Sequence, residues 1–257
     1  MPYQGPYPRF HFPLKLIHKI VISALLKKTR SFQKDSHTAL LGNPFIKYSG
    51  KTNIPDQDSF LLTMNHYSRP GFLIIWAAMA IAVTLNQPMI WVMTRAWTNR
   101  SGGLDAVWSW LSSCMLKRLA EIYGFVTMPP MPPDPAEQTE RAISVRNIMQ
   151  AVRTQADAVL CLSPEGRDFP EGNLGAPPPG TGKFLAYLSN YYCQILPVGV
   201  YEQDGQLVVQ FGTPYALRAV LKPHDSDDQI AWRVMQQIAM CLPESTNKIY
   251  PFPQEEN

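Results

Sequence analysis

The chain lacks the cysteine spacing that a disulfide framework or a zinc site needs. Its four cysteines, Cys114, Cys161, Cys193 and Cys241, lie far apart, form no Cys-x-x-Cys pair and have no histidine at ligand spacing. They read as buried thiols in a reducing compartment. Acid is missing from one region: residues 1–34 hold Arg9, Lys15, Lys19, Lys27, Lys28, Arg30 and Lys34 but no Asp or Glu. Of the 23 basic residues that leaves sixteen against all 20 acidic ones in the remainder, a net of −4. The positive character belongs to the arm, which argues against a polyanion-binding body. Aromatic stretches do not interleave with basic patches, so no nucleic-acid partner is expected. Charge of either sign is absent from Pro70 through Thr94. There Asn86-Gln87-Pro88 breaks the run, and Gly71–Leu85 as a helix would reach about 22 Å against a hydrocarbon core of about 30 Å. A buried helix, a turn and the strand Met89–Thr94 are expected, and no membrane span. Pro177-Pro-Pro-Gly-Thr-Gly182 with Lys183 fits neither a phosphate-binding loop nor a dinucleotide fingerprint.

What is present suits one large domain with a helical appendage. The chain has 257 residues, 46% of them hydrophobic and 17% charged, enough for a sizeable core. The division falls between an arm, 1–42, and an α/β domain, 43–257. In the arm, Leu14, Ile17, Ile20, Val21, Ala24 and Leu25 fit one helical stripe with Lys15, Lys19, Lys27 and Lys28 around it. Two readings stand open: a helix lying on an anionic membrane, each nearby Lys or Arg contributing about 1 kcal/mol, or a helix packed on the domain with a solvated basic edge. Ile20–Leu26 is too short an apolar run, ends in Lys27-Lys28 and lacks a small-residue cleavage site, so it does not read as a signal peptide. A cytoplasmic protein peripheral to the inner face of the membrane is expected.

Strand candidates are Pro44–Ser49, Phe60–Met64, Met89–Thr94, Phe125–Met128, Ala158–Leu162, Gln194–Val200 and Leu207–Phe211. Helices are expected from about Phe72 and over Ala106–Tyr123, Glu140–Thr154, Lys183–Tyr192 and Asp225–Cys241, with turn material over Asn53–Asp58. The Pro-rich run from Pro129 to Pro135 is a stiff loop. This alternation predicts an α/β fold around a mostly parallel or mixed sheet flanked by helices.

Two polar corners end apolar runs, where active sites of such sheets lie. In the first, Phe60-Leu-Leu-Thr-Met-Asn-His66 leads into Tyr67-Ser-Arg-Pro-Gly71, and an imidazole at such a strand end is a residue type suited to general-base work. In the second, Ser163-Pro-Glu-Gly-Arg-Asp168 places a carboxylate and a cation on a tight turn. Arg167 suits a phosphate or carboxylate, and Glu165 suits orientation of a polar substrate or of the base. Read singly, a lone histidine is more often structural, and a Glu-Gly-Arg-Asp turn is as readily a solvated ion pair.

Taken in order, these pieces resemble the glycerolipid acyltransferase family, of which the lysophosphatidic acid acyltransferases are members. Lys47-Tyr-Ser-Gly-Lys-Thr-Asn-Ile-Pro55 and Leu62-Thr-Met-Asn-His66 look like its first block with the lead-in, and Ser163-Pro-Glu-Gly-Arg167 like its Pro-Glu-Gly block. Gly172-Asn-Leu-Gly175, Gly180 and Phe184-Leu-Ala186 continue that region, and Leu196-Pro-Val-Gly-Val200 with Phe211-Gly-Thr-Pro214 resembles the last block. The resemblance implies acyl transfer from acyl-CoA or acyl carrier protein to a hydroxyl of a lysophospholipid or glycerol phosphate. It implies His66 as base, no covalent acyl-enzyme, no metal and no cofactor. Asn65, Ser68, Arg69, Glu165, Gly166 and Arg167 are the candidate substrate-binding residues. Two positions depart from the family. Its first block is His-x-x-x-x-Asp, and the aspartate position here is Gly71. Gly124-Phe-Val-Thr-Met-Pro129 lacks the arginine that usually ends this block in the family, and Arg167, Arg141 and Arg69 are the candidates to stand in for it. In the serine protease triad, asparagine in place of the orienting aspartate costs about 10⁴ in rate. By the family geometry Glu165 and Asp168 are the nearest candidates for a replacement carboxylate; the alternatives are an altered mechanism served by Arg69 and Ser68, or a catalytically inactive acyl- or lipid-binding member of the fold.

Overall fold

The computed structural model describes residues 7–43, 45–56, 59–96, 105–169, 174–244 and 246, with the backbone alone for 105–108. Pro44, Asp58, Gly172 and Asn173, used above, lie outside them. In chain order the elements are α1 (Leu14–Leu25), α2 (Phe32–Leu40), β1 (Ile46–Ser49), β2 (Leu61–Met64), α3 (Ile75–Ala82), β3 (Met89–Thr94), α4 (Asp105–Tyr123), β4 (Val126–Met128), α5 (Gln138–Thr154), β5 (Val159–Leu162), α6 (Thr181–Leu188), β6 (Ile195–Gln203), β7 (Gln206–Phe211), α7 (Leu217–Val220) and α8 (Asp227–Ala239).

The seven strands form one mixed sheet in the order β1-β7-β6-β2-β5-β3-β4. β6, β2, β5, β3 and β4 are parallel to one another. β7 runs antiparallel to β6, and β1 parallel to β7. Alternation along the central strands fills both faces. Leu61, Ile90, Leu160, Leu162 and Ile195 pack with residues of α5, α6 and α8, while Leu62, Met64, Cys161, Leu196, Val198 and Val200 pack with α3 and with Phe32 and Ala39 of α2. Burial on both faces explains why these strands read as continuous apolar runs.

Several boundaries differ from the sequence expectation. The helix expected from Phe72 begins at Ile75, because Arg69–Phe72 forms a turn, closed by Phe72 N–H on the Arg69 carbonyl, in which Gly71 takes φ +79°. β6 runs on to Gln203 and reverses through Asp204-Gly205, both at positive φ, a two-residue hairpin turn whose twist matches the strands. α6 stops at Leu188. It starts close against α8, where Asp227 accepts from the Gly180 and Lys183 amides and a Cβ on Gly182 would lie 1.9 Å from the Asp227 carbonyl oxygen. The glycines around Lys183 thus serve helix packing. Cys161 and Cys241 are buried as expected, but Cys114 and Cys193 are exposed.

The arm divides its apolar residues. Leu16 and Ser23 of α1 are buried and Ile20 is half-buried, while Leu14, Ile17, Val21 and Leu25 remain exposed. At 100° per residue these four lie on the side opposite the buried ones, with Lys15 and Lys19 on a flank. Among the described residues no helix is long and apolar enough to cross a membrane.

Candidate active site

Parallel β2 and β5 are neighbours, paired through Leu61–Thr63 and Leu160–Leu162. Their C-terminal ends therefore deliver Asn65-His66 and Ser163–Asp168 to the same edge. Asn65 fixes the first loop: its carboxamide accepts from the Val200 amide at 2.7 Å and donates to the Val200 carbonyl at 2.8 Å, replacing the strand pairing that β2 has just given up.

The second corner is made by Gly166. It takes φ +64°, a conformation that suits glycine, and its amide closes a turn on the Ser163 carbonyl at 3.2 Å. The turn sends Glu165 inward and Asp168 outward. Glu165, 1% exposed, accepts from the His66 backbone amide at 2.6 Å and the Gly175 amide at 2.7 Å. It clamps the histidine loop to the stretch that follows β5. Burial pushes its carboxyl up to about 7, against the two amide bonds that favour the charged form.

Asp168 meets the imidazole itself. Its Oδ1 lies 2.8 Å from His66 Nδ1, with its side chain 67% exposed. The oxygen stands off the direction a ring N–H would take, leaving Nδ1 without an aligned hydrogen bond; such contacts commonly tighten when substrate binds. The His66 ring and, to a smaller extent, the Ser68 hydroxyl hold the Asp168 carboxyl below its ordinary range. A carboxylate is thus present on the ring even though the motif position is Gly71, where a Cβ would meet only Arg69 Nη1, at 3.7 Å. With Nδ1 turned to Asp168, Nε2 is the ring nitrogen that does not face this carboxylate.

The three arginines considered for an acceptor phosphate are placed differently. Arg69 gives its fork to Glu202, through Nε at 2.5 Å and Nη2 at 2.7 Å. Arg141 donates to the Pro130 carbonyl and approaches Glu137 at 3.6 Å. Arg167 is exposed and lies over the Phe169 ring at 4.6 Å, and among the described residues it forms no ion pair with a carboxylate. Gly166 contributes backbone shape, and Ser68 reaches Asp168. Sequence reasoning missed Tyr67 and Glu202, whose signal was parity: Glu202 lies two and four residues beyond Val200 and Val198, on the same strand face. Among the described residues no group of three or more His, Cys, Asp or Glu side chains is placed to hold a metal.

A family model described as Acyltransferase matches residues 45–201. Among solved structures, the crystal structure of the 1-acyl-sn-glycerophosphate (LPA) acyltransferase PlsC from Thermotoga maritima is similar at 12% sequence identity and a TM-score of 0.48, covering 84% of each chain. No curated protein matches the chain.

Proposed function

The chain belongs to the acyltransferase family, and from that premise we propose that it moves an acyl group from acyl-CoA or acyl carrier protein to a hydroxyl of a lysophospholipid or glycerol phosphate, with His66 as general base and Asp168 as its carboxylate. The observation that carries this reading is the 2.8 Å approach of Asp168 Oδ1 to His66 Nδ1 at the strand-end mouth. His66 Nε2 takes the acceptor proton as the oxygen attacks the thioester carbonyl. The C–O bond forms, the C–S bond breaks, and the proton passes from the imidazolium to the departing thiolate. Asp168 stabilises the charged ring between these steps. Arg167 is the proposed contact for an acceptor phosphate, because Arg69 and Arg141 are already engaged by carboxylates. Glu165 acts from inside, holding the His66 backbone.

Thiol release from an acyl-CoA panel, with lysophosphatidic acid or glycerol 3-phosphate as acceptor, tests this. Acceptor-dependent release is expected in the wild type and a fall of about 10³-fold in His66→Ala. No release from the wild type, with acyl carrier protein donors as well, contradicts it. The loss of the motif aspartate at Gly71 favours one second reading, an inactive acyl- or lipid-binding module, in which ligand binding persists in His66→Ala without turnover.

The site is proposed to work at an anionic membrane surface on the cytoplasmic side. The exposed Leu14, Ile17, Val21 and Leu25 stripe would enter the interface while Lys15 and Lys19 meet headgroups. Co-sedimentation with phosphatidylglycerol vesicles should fall about fivefold in Lys19→Ala and further in Val21→Glu. Equal sedimentation of both variants with the wild type contradicts the surface assignment.

A further inference from the structure

The loop that carries His66 is tied to β6 at a second point, beyond the Asn65 pairing with Val200. Glu202 accepts the Tyr67 hydroxyl at 2.9 Å and the Arg69 fork at 2.5 and 2.7 Å. Its side chain has no exposed surface, 0%. Alternation along β6 explains how it arrives there. Val198 and Val200 fill the core beneath α3, and the next residue of that face reaches the strand end as a carboxylate. Such an enclosed charge persists only when paired and hydrogen-bonded, and the planar guanidinium of Arg69 supplies the bidentate partner.

Arg69 then reaches further. Its Nη2 donates to the Pro8 carbonyl at 2.9 Å, and the guanidinium lies over the Tyr7 ring at 4.6 Å. The segment leading to α1 is held on the same side of the molecule by Phe10 and Phe12, stacked on Trp76 at 5.2 and 4.1 Å. His66 therefore sits between two anchors on one strand, Asn65 on Val200 before it and Tyr67 with Arg69 on Glu202 after it. The second anchor also receives the N-terminal strap.

We propose that Glu202 is a positioning residue for His66, holding the loop so that the ring faces both Asp168 and the acceptor. This rests on the acyl-transfer reading and deepens it. Glu202 acts through Tyr67 and Arg69, so its loss should lower turnover and leave substrate affinity in place. Small displacements of a reacting group carry large rate effects.

The test uses the full chain with Glu202→Gln and Tyr67→Phe, reading kcat and KM of acceptor-dependent thiol release per folded molecule. The imidazole NMR resonances of His66, assigned by their absence in His66→Ala, are read without substrate. In Glu202→Gln, kcat is expected to fall about 10- to 100-fold, with KM for donor and acceptor unchanged and the His66 resonances shifted. Tyr67→Phe, which removes one hydroxyl, should lower kcat by roughly threefold, and it decides alone should Glu202→Gln fail to fold. Unchanged kcat and unmoved His66 resonances overturn the proposal even if the melting temperature falls, since that is a purely structural role. A raised KM with intact kcat also overturns it. If the wild type shows no turnover, the acyl-transfer reading fails, and the His66 resonances still decide whether Glu202 positions the ring.

Discussion

The inner and outer sides of the turn after β5 present two carboxylates to the same histidine under opposite conditions. Glu165 is enclosed, accepts two backbone amides and has its pKa raised by burial. Asp168, three residues on, is largely in solvent, faces the ring and has its pKa lowered. One turn thus separates holding the histidine backbone from facing its ring. The buried group supplies geometry, and the exposed group supplies a negative charge that stays ionised. A single carboxylate could not do both, because the enclosure that makes Glu165 a rigid clamp also disfavours its charged form.

The largest effect expected from breaking this contrast is on stability. The folded-state pKa of Glu165 lies at about 7, above its ordinary 4.5. Between those values the folded protein therefore binds more protons than the unfolded chain, and stability falls as pH rises through that window. The loss is up to about 3 kcal/mol. Urea denaturation from pH 4.5 to 8 should show this slope in the wild type and not in Glu165→Gln. A parallel pair of curves contradicts the buried-clamp assignment. Asp168 contributes in the opposite sense, its lowered pKa giving stability that is lost as pH falls below its ordinary range.

A smaller effect is expected at the outer side. Asp168→Asn should lower acyl transfer by roughly 10- to 100-fold, less than the 10⁴ of a triad aspartate held in place, because an exposed and imperfectly aligned carboxylate stabilises the imidazolium less. Its melting temperature should fall only slightly, because the stability lost with the charge belongs to a largely exposed group. The smallest effect sharpens the comparison with the family motif. Gly71→Asp restores the His-x-x-x-x-Asp pattern, but at φ +79° and beside Arg69 Nη1 the new carboxylate is expected to pair with Arg69. In the Asp168→Asn background it should therefore restore no activity. Recovery to the wild-type rate would show that the motif position still reaches the ring.

Much of this architecture was legible in the residues, and the reasons for the rest are physical. Strand runs such as Leu61–Met64 and Val159–Leu162 are largely apolar on both faces and bounded by turn residues, so their existence and a mostly parallel or mixed sheet followed from pattern. The ends did not. Val200 continues into Glu202 because hairpin pairing with β7 outweighs the polar character of Glu202 and Gln203, which no local pattern reveals. His66 and the Glu165 corner were visible as polar residues ending buried runs. Asp168 was visible only as one of two carboxylates on the second corner, since the choice depends on Gly166 turning Glu165 in and Asp168 out. Arg69 looked available in sequence as a cation beside His66; its partner lies 133 positions away, a separation no spacing rule spans.

The most direct test of the His66–Asp168 pairing is a double-mutant cycle on acceptor-dependent thiol release, comparing wild type, Asp168→Asn, His66→Ala and the double variant at one pH above the Asp168 range. If the carboxylate acts through the imidazole, Asp168→Asn lowers the rate in the wild-type background and adds nothing once His66 is gone. An equal loss in both backgrounds, or no loss in either, would contradict the account.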